Sequence, residues 1–517
     1  MLDFPEFFTA VSVLSNGFDA WIWVFPGLVI GLVFGALPGI SVTMAMALFL
    51  PMTLYMEFLP AIIFLSSIFT GAGFGGSVPA VLMNIPGTSS AVATTFDGYP
   101  MARKGLHNEA LGAALGASVT GALVSYCLLL FLIVPLANIV IKMGPLEMLG
   151  IAIWGMLMLS SLTGVSMLRG MIAGCFGVLI GTIGMNTVGY MRGTMDIPEL
   201  LDGVSKVPAL MGLLAASALF SLVNSKFIIE SDSARGLSGK RMLAGFVSIL
   251  KHKVCTLRGL LIGTVVGATP GVGASVSNLM SYSEAKRNSK DPDSFGKGNI
   301  EGVIAAESAN SSSEGGSMAT MLALGIPGGG ATAVLLAAFA MHNVVGGPDF
   351  IDKNKDIVYT IILSNIGQCL LLFPIGFIFI FLASSLVKVP LRFLIPVVLV
   401  AASFGAYAID GSPAGPITLL VFSVIGWVLA RYKYPPAAVV VGMLLGGLLE
   451  NEALKTMQLS SGHPAYILER PGAMAIFALI LISMALTARS KFKKRKNSND
   501  LPPTSLNASR TVAQPKG

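Results

Sequence analysis

Long apolar runs separated by short polar segments dominate the chain. Most approach or exceed the roughly 20 residues that a helix needs to cross a bilayer. The runs that fit one uninterrupted helix are 109–141, 146–164, 168–189, 207–229, 357–386, 391–409, 413–430, 436–454 and 472–488. Regions 58–100 and 299–346 are less regular, and each predicts one crossing plus an interrupted helix. The pattern predicts an all-α polytopic membrane protein.

Two further apolar segments, 21–56 and 259–283, are interrupted near their middle by Pro38-Gly39 and Pro270-Gly271. At membrane depth such breaks are tolerated where the freed backbone groups are buried or line a cavity. All other spans alternate across the membrane only if both segments return to the side they entered from. We therefore predict that both segments are re-entrant hairpins, which gives about eleven crossings plus two or more re-entrant elements, with ordinary kinked spans as the alternative.

The sequence around the breaks occurs twice. Gly31 to Gly39 matches Gly263 to Gly271 in the pattern G-x3-G-A-x-P-G, at an offset of 263 − 31 = 232 residues. Further on, Gly-Gly-Ser followed by Ile-Pro-Gly recurs at offsets of 315 − 75 = 240 and 326 − 85 = 241. Two motifs that recur in one order at nearly one spacing indicate a duplication.

Loop charges orient the two copies. The first broken segment is flanked by Asp19 and Glu57, and the second by Arg258 and Lys286. Because basic loops favour the cytoplasmic side, the two halves are predicted to be inverted relative to each other. Inverted repeats with interrupted helices that meet near the midplane are typical of secondary transporters.

Composition and charge sharpen this picture. Of 517 residues, 54% are hydrophobic and 11% charged, whereas a soluble domain carries roughly 25% charged residues. The net charge of +7 lies in residues 489–517, where eight bases and one acid give 8 − 1 = +7. The remainder is neutral, so we expect no nucleic-acid partner. We predict a first membrane repeat (1–230), a basic cytoplasmic connector (231–258), a second repeat (259–488) and a basic, disordered cytoplasmic tail (489–517).

The motifs of other classes of membrane protein do not stand out. The four cysteines and four histidines are scattered, without the spacing of a zinc, redox or metalloprotease site. No nucleophile–base pair stands out, which argues against an intramembrane enzyme and a resident cofactor. A channel would show a repeated pore-lining segment with rings of charge. A stand-alone ion-coupled anion carrier or a channel stays open as the alternative to a binding-protein-dependent carrier.

The breaks themselves carry candidate chemistry. Helix N-termini suit a carboxylate, and freed carbonyls with hydroxyl groups suit Na⁺. Hydroxyl and amide side chains follow three of the four breaks. The predicted substrate-binding residues are Pro38, Gly39, Ser41, Asn84, Pro86, Gly87, Thr88, Ser89, Pro270, Gly271, Ser275, Asn278, Pro327 and Gly328. The alternative is that these small residues only allow close helix packing.

A second polar stretch begins at Glu307. On a helix, Glu307, Asn310, Ser311 and Glu314 share one face, because they lie at i, i+3, i+4 and i+7. Ionisable groups at membrane depth are costly and mostly functional, so this face predicts a site for a coupling Na⁺ or H⁺. The alternative is a solvated interfacial turn. Asp97 is interpreted as a loop or cap residue paired near Arg103.

At these motifs the sequence resembles the large membrane subunit (TctA type) of the tripartite tricarboxylate transporters. The matching stretches are Gly35 to Gly39, Gly75 to Ser77, Asn84 to Gly87, Asp97 to Arg103, Gly267 to Gly273, Phe295 to Gly298, Glu307 to Asn310 and Gly325 to Gly328. The resemblance implies a bacterial inner-membrane permease with an elevator-type fold. It also implies a small membrane subunit (TctB type), a periplasmic solute-binding protein, and uptake of tri- or dicarboxylates and related organic acids with Na⁺ or H⁺.

One stretch departs from that pattern. After Glu307-Ser-Ala-Asn310 such proteins usually continue with Asn or Ala, whereas this chain has Ser311-Ser-Ser-Glu314. Because of this additional acid, Glu314, the resemblance alone does not determine the substrate charge or the coupling ion.

Overall fold

Helices dominate the protein. The computed structural model describes residues 3–17, 21–37, 41–84, 86–162, 167–185, 190–201, 203–213, 217, 237–270, 273–386, 399–400, 403–404, 406–407, 410–460 and 463–482. The strands found in these ranges form one short antiparallel pair, β1 (Gly184–Met185) and β2 (Met191–Arg192). The predicted all-α class is confirmed.

The helices, in chain order, are α1 (Phe4–Asn16), α2 (Val24–Gly35), α3 (Val42–Phe49), α4 (Phe58–Gly75), α5 (Ser77–Met83), α6 (Val92–Arg103), α7 (His107–Ile141), α8 (Pro145–Leu162), α9 (Met167–Gly181), α10 (Lys206–Met211), α11 (Gly239–Ser248), α12 (Lys253–Gly267), α13 (Gly273–Asn288), α14 (Ile300–Leu324), α15 (Gly330–Met341), α16 (Pro348–Lys353), α17 (Lys355–Leu386), α18 (Ala414–Arg431), α19 (Pro436–Ser460) and α20 (Pro471–Ile482). Short 3₁₀ helices cover Leu50–Tyr55, Ser89–Ala91, Pro198–Leu200, Pro292–Ser294 and Pro464–Ile467.

Both predicted Pro-Gly breaks interrupt helices. α2 ends at Gly35, and α3 restarts after Ser41, whose Oγ caps it by accepting from the Met44 N–H at 3.1 Å. α12 ends at Gly267, and α13 starts at Gly273, where φ is +67°. With 12 and 15 residues, α2 and α12 are only about 18 and 22 Å long, which is shorter than the roughly 30 Å hydrocarbon core. This length fits the predicted hairpins, and their re-entrance stays a prediction.

The two irregular regions also consist of a long helix followed by a break. In the first region, α5 ends at Met83, and the C-cap residue Asn84 has a left-handed φ of 61°. In the second, α14 ends at Leu324, and the C-cap residue Gly325 has a φ of 67°, which is accessible to glycine without strain. The predicted interruptions of both regions are confirmed.

Within the described part of the chain, four helices have the length and apolarity for a membrane crossing. They are Phe58–Met83, His107–Val140, Lys355–Leu382 and Ala414–Arg431, while several other apolar helices are shorter. Most of 207–229 and 391–409, and all of the tail 489–517, lie outside the described residues. The protein is therefore a membrane protein by composition and helix length, and the predicted count of crossings remains untested.

The predicted helix over 168–189 is wrong at its C-terminal end. α9 stops at Gly181, and the β1–β2 hairpin follows in a register that pairs Gly184 with Arg192. Gly184 has a φ of +108°, which cannot continue a helix. Arg192 forms an ion pair with Glu450 of α19 at 2.7 Å, which joins the hairpin to that helix.

α14 lies at the centre of the fold. It packs against α4, α6 and α7 of the first half and against α12 and α13 of the second. All residues from Gly302 to Met318 are buried. The most polar stretch of the apolar regions therefore lies inside the protein.

Candidate functional site

The predicted ion-binding face of α14 is enclosed by protein. Its four residues, Glu307, Asn310, Ser311 and Glu314, are 0%, 3%, 6% and 3% exposed. The alternative of a solvated interfacial turn is wrong, because helices pack around the whole stretch. Each polar group on this face therefore depends on partners from neighbouring helices.

Oxygen-bearing side chains of the first half surround Glu307. Thr94 Oγ1 of α6 donates to Oε1, and Ser118 Oγ of α7 donates to Oε2 at 3.2 Å. Ser77 Oγ lies beside the same carboxylate, but it is fully buried and has no hydrogen bond of regular geometry. Asn310 Nδ2 contacts Glu307 Oε2 at 3.4 Å and donates to the Gly73 carbonyl of α4 at 3.1 Å. The pocket thus combines one carboxylate with several hydroxyl groups.

Glu314 has a different environment. Thr70 Oγ1 of α4 and Tyr126 OH of α7, the latter at 2.8 Å, both donate to Oε1. No hydrogen bond reaches Oε2 from the described residues. On α4, Ser66 is one turn before Thr70 and accepts from Gln368 Nε2 at 3.1 Å. Glu314 is therefore held through one oxygen only.

Within the described ranges neither carboxyl group has a basic partner. Among the described residues, no lysine, arginine or histidine forms an ion pair with Glu307 or Glu314. A bare buried carboxylate is strongly unfavourable, so each group has to bind a proton or a cation. The described part of the chain also contains no cluster of three or more His, Cys, Asp or Glu that would hold a metal ion.

The restarts of the broken helices meet across the two halves. Ser89 Oγ lies 2.9 Å from Ser275 Oγ. On the other side, Thr43 lies so close to Gly330 that a Cβ placed there would be 2.5 Å from Thr43 Oγ1. The sequence predicted Ser89 and Ser275 as site residues, and the fold brings them into direct contact.

Asn278 has a packing role in this arrangement. Its Oδ1 accepts from the Ala93 N–H of α6 at 2.9 Å, and its Nδ2 donates to the Ala306 carbonyl of α14 at 3.2 Å. The amide is fully buried and joins three helices. Its hydrogen bonds are used within the protein, which fits a positioning role better than a ligand contact.

The other predicted substrate-binding residues differ in how far they are exposed and free to contact a ligand. Ser41 Oγ is used as a helix cap, and Thr88 Oγ1 is paired with Ser90 Oγ at 3.0 Å. Asn84 is exposed, Pro86 is half-buried, and Gly87, Pro270, Pro327 and Gly328 are buried. Pro38, Gly39 and Gly271 lie outside the described residues. Asn84, Ser89 and Ser275 are thus the predicted side chains best placed to reach a ligand.

Asp97 has partners that the sequence interpretation missed. It is fully buried, and its Oδ2 accepts from Tyr282 OH of α13 at 2.9 Å. Its Oδ1 accepts from the backbone N–H groups of Gly296, Gly298 and Asn299 at 2.9, 2.8 and 2.8 Å. The interpretation as a cap is right in kind, but the capped segment is the loop before α14, and no ion pair with Arg103 occurs among the described residues.

The hydroxyl donors were also missed. Thr70, Thr94, Ser118 and Tyr126 lie 188 to 244 residues from the carboxylates that they contact. Their sequence signal was a polar side chain within an apolar run, as at Ser118 in 109–141. That signal does not identify a partner on another helix.

Comparisons with known proteins point to one family. A family model described as the tripartite tricarboxylate transporter TctA family matches residues 21–441. A relative from Agrobacterium vitis, an uncharacterized 52.8 kDa protein in the TAR-I ttuC' 3' region, is 33% identical over 499 residues, covering 94% of this chain and 98% of the relative. An uncharacterized protein in the TAR-II ttuC' 3' region of A. vitis is 32% identical over 235 residues, covering 46% of this chain and 97% of the relative. No solved structure matches the chain.

Proposed function

The chain belongs to the tripartite tricarboxylate transporter TctA family, and from this membership we propose that it is the permease subunit of a binding-protein-dependent secondary transporter. It takes up tricarboxylates or related organic acids across the bacterial inner membrane, with its C-terminus in the cytoplasm. A Na⁺ or H⁺ gradient drives uptake. Its partners are a periplasmic solute-binding protein and a small membrane subunit of TctB type, and it is a transporter and not an enzyme.

The observation that carries the proposal is that the broken-helix restarts meet across the two halves, and that α13 and α15 pack against the helix that bears the buried carboxyl groups. α13 and α15 begin close to Ser89 and Thr43 respectively. Helix N-termini present free N–H groups and the positive end of the dipole, which favour a carboxylate. The uncompensated carboxyl groups on α14 supply a place for the coupling cation. In this proposal both the substrate site and the cation site are formed by elements of the two halves together.

An inverted duplication is part of this proposal, and equivalent contacts support it. Gly35 packs against Ala72, and Gly267 packs against Ser313, with offsets of 267 − 35 = 232 and 313 − 72 = 241. The Thr43–Gly330 and Ser275–Ser89 contacts follow the same offsets, since 275 − 43 = 232 and 330 − 89 = 241. Such paired halves support an elevator-type alternating-access movement.

The contacts also refine the alignment of the halves. Gly75 packs against Leu32, and Gly316 packs against Thr264, so Gly75 corresponds to Gly316 at an offset of 241. The Gly-Gly-Ser motifs match at an offset of 240 residues, which is one residue less than the offset of 241 given by the packing contacts. A single offset of 241 from α4 onward agrees with the Ile-Pro-Gly motifs.

Reconstituted uptake tests the proposal. The full chain is expressed with and without a small membrane subunit and a periplasmic binding protein, and uptake of labelled di- and tricarboxylates is followed under separate Na⁺ and pH gradients. We expect saturable uptake that needs all three proteins and one of the gradients. Equal uptake without the partners would indicate a stand-alone carrier, and non-saturating current would indicate a channel.

A further inference from the structure

We infer that α14 carries two separate ion sites with different cargo: the Glu307 pocket binds a metal cation of the Na⁺ class, and Glu314 carries a proton. The inference rests on the proposed function only in treating these ions as the coupling ions. It divides a polar face that the sequence presents as one group into two chemically distinct sites.

The two carboxyl groups are structurally independent. They lie 314 − 307 = 7 residues apart, which is about 10.5 Å along a helix. The hydrogen-bond donors to Glu307 come from α6, α7 and Asn310, whereas those to Glu314 come from α4 and another position of α7. The two groups have no common partner in the part of the chain that the structure describes, so they do not share one proton.

The Glu307 pocket has the ligands that a hard cation prefers. Hard cations take oxygen ligands from carboxylate, hydroxyl and carbonyl groups. Thr94, Ser118 and Ser77 place hydroxyl oxygens around the Glu307 carboxylate. The Ser77 hydroxyl is 0% exposed, lies beside the Glu307 carboxylate and has no hydrogen bond of regular geometry, which is costly unless a ligand completes it. A bound cation would pair with the carboxylate charge and give Ser77 Oγ a partner.

The arrangement at Glu314 fits a neutral acid. Two hydroxyl groups donate to Oε1, as expected for the carbonyl oxygen of a protonated carboxyl group. Oε2 has no donor among the described residues, so it is free to carry the proton. The titratable groups that face Glu314 are Tyr126 on α7 and Cys369 on α17, with Cys127 beyond them, while α4 presents Thr70. Among the described residues two hydroxyl groups hydrogen-bond to Glu314, both at the same oxygen, so this site offers fewer oxygen ligands to a metal cation than the Glu307 pocket does.

Thermal unfolding of the purified full chain separates the two sites without substrate or partner proteins. Because a ligand that binds the folded state raises the unfolding midpoint, NaCl is compared with choline chloride at equal ionic strength over a pH series. Wild type should show a Na⁺-specific rise and a fall in midpoint as the pH increases, since loss of the Glu314 proton leaves an unpaired buried charge. The exposed Glu199→Gln variant is the matched control.

The variants should lose one response each. Glu307→Gln should lose the Na⁺-specific rise and keep the pH response measured in NaCl, and Glu314→Gln should do the reverse. Should Glu307→Gln not fold, Ser77→Ala should weaken the Na⁺ response about tenfold in concentration while leaving the pH response unchanged. For Glu314, infrared spectra of wild type should contain a protonated carboxyl band that the Gln variant lacks.

Three outcomes would overturn the inference: a Na⁺ response retained in both Glu307→Gln and Ser77→Ala, a pH response unchanged in Glu314→Gln, or loss of both responses in one variant. These outcomes are distinct from failure of the proposed function. Absent carboxylate uptake with intact Na⁺ and pH responses would contradict the transported substrate and leave the two ion sites standing.

Discussion

α4 and α14 occupy corresponding places beside the two broken segments but carry different chemistry. α4 packs on α2 through Gly35 and Ala72, and α14 packs on α12 through Gly267 and Ser313. The 18 residues of α4 include no ionisable side chain, whereas the 25 residues of α14 include three glutamates. At the offset of 241, Ser66 and Gly73 stand where Glu307 and Glu314 stand in the second half.

The difference shows how the halves divide their roles. Close helix packing is common to both, because small residues at the crossing allow the backbones to approach. Of these two helices, only α14 bears carboxyl groups. The hydroxyl groups that donate hydrogen bonds to Glu307 and Glu314 come from α4, α6 and α7 of the first half. The surroundings of each carboxyl group are therefore built by both halves together.

The largest effect should come from the shared packing. A Cβ at Gly35 would lie 2.5 Å from the Ala72 carbonyl oxygen, and one at Gly267 would be at least as close to that of Ser313. Gly35→Ala and Gly267→Ala should each destabilise the protein by about 3 kcal/mol, because rigid backbones must separate. Unfolding midpoints and yields of folded protein measure this. Gly447→Ala, with open space around it, is the control and should be neutral or stabilising; a difference between the two halves would break the comparison.

Substitutions at the ion-binding positions, in contrast, should affect the two halves unequally. Glu307→Gln should reduce ion-driven uptake about 100-fold, equivalent to roughly 2.7 kcal/mol, because the cation loses its counter-charge. Ser66→Ala, at the corresponding position of α4, should change uptake less than threefold. Initial uptake rates, normalised to protein in the membrane, distinguish the two. Similar losses in both variants would mean that the ion chemistry is not confined to α14.

The Asp97 contacts, which connect the two halves, should contribute to the stability of the protein. Asp97→Asn replaces a charged acceptor of three backbone N–H groups, so we expect a loss of about 2 kcal/mol in stability. Asp293→Asn, on an exposed residue of the same loop region, should leave the unfolding midpoint unchanged. Faster proteolysis around 296–299 in Asp97→Asn alone would locate the effect, and equal stability of both variants would contradict it.

The smallest effects are expected where the restarted helices meet. Ser275→Ala and Asn84→Ala should each reduce uptake about tenfold, equivalent to roughly 1.4 kcal/mol, through loss of one hydrogen bond to the substrate. Ser283→Ala changes an exposed hydroxyl on the same helix as Ser275 and should keep wild-type uptake. Wild-type uptake and ion dependence in both site variants would show that the substrate binds elsewhere.

Local rules explain what could be predicted. The breaks near Pro38 and Pro270 and the polar face beginning at Glu307 follow from proline, glycine and helical periodicity, which act over a few residues. The hairpin after α9 was missed because the apolar composition continues past Gly181, while the backbone turns at Gly184. The packing offset of 241 was missed because motif matching weighs identities and not contacts.

The sequence by itself determined the helical membrane class, the places where helices break, and which residues of α14 share a face. These properties depend on composition and short-range geometry, and both are visible along the chain. Only the tertiary structure decided that Glu307 and Glu314 lie in separate pockets and that Asp97 holds the loop before α14. Those contacts join residues 185 to 244 positions apart, and no local preference selects a partner at that distance; packing of whole helices does.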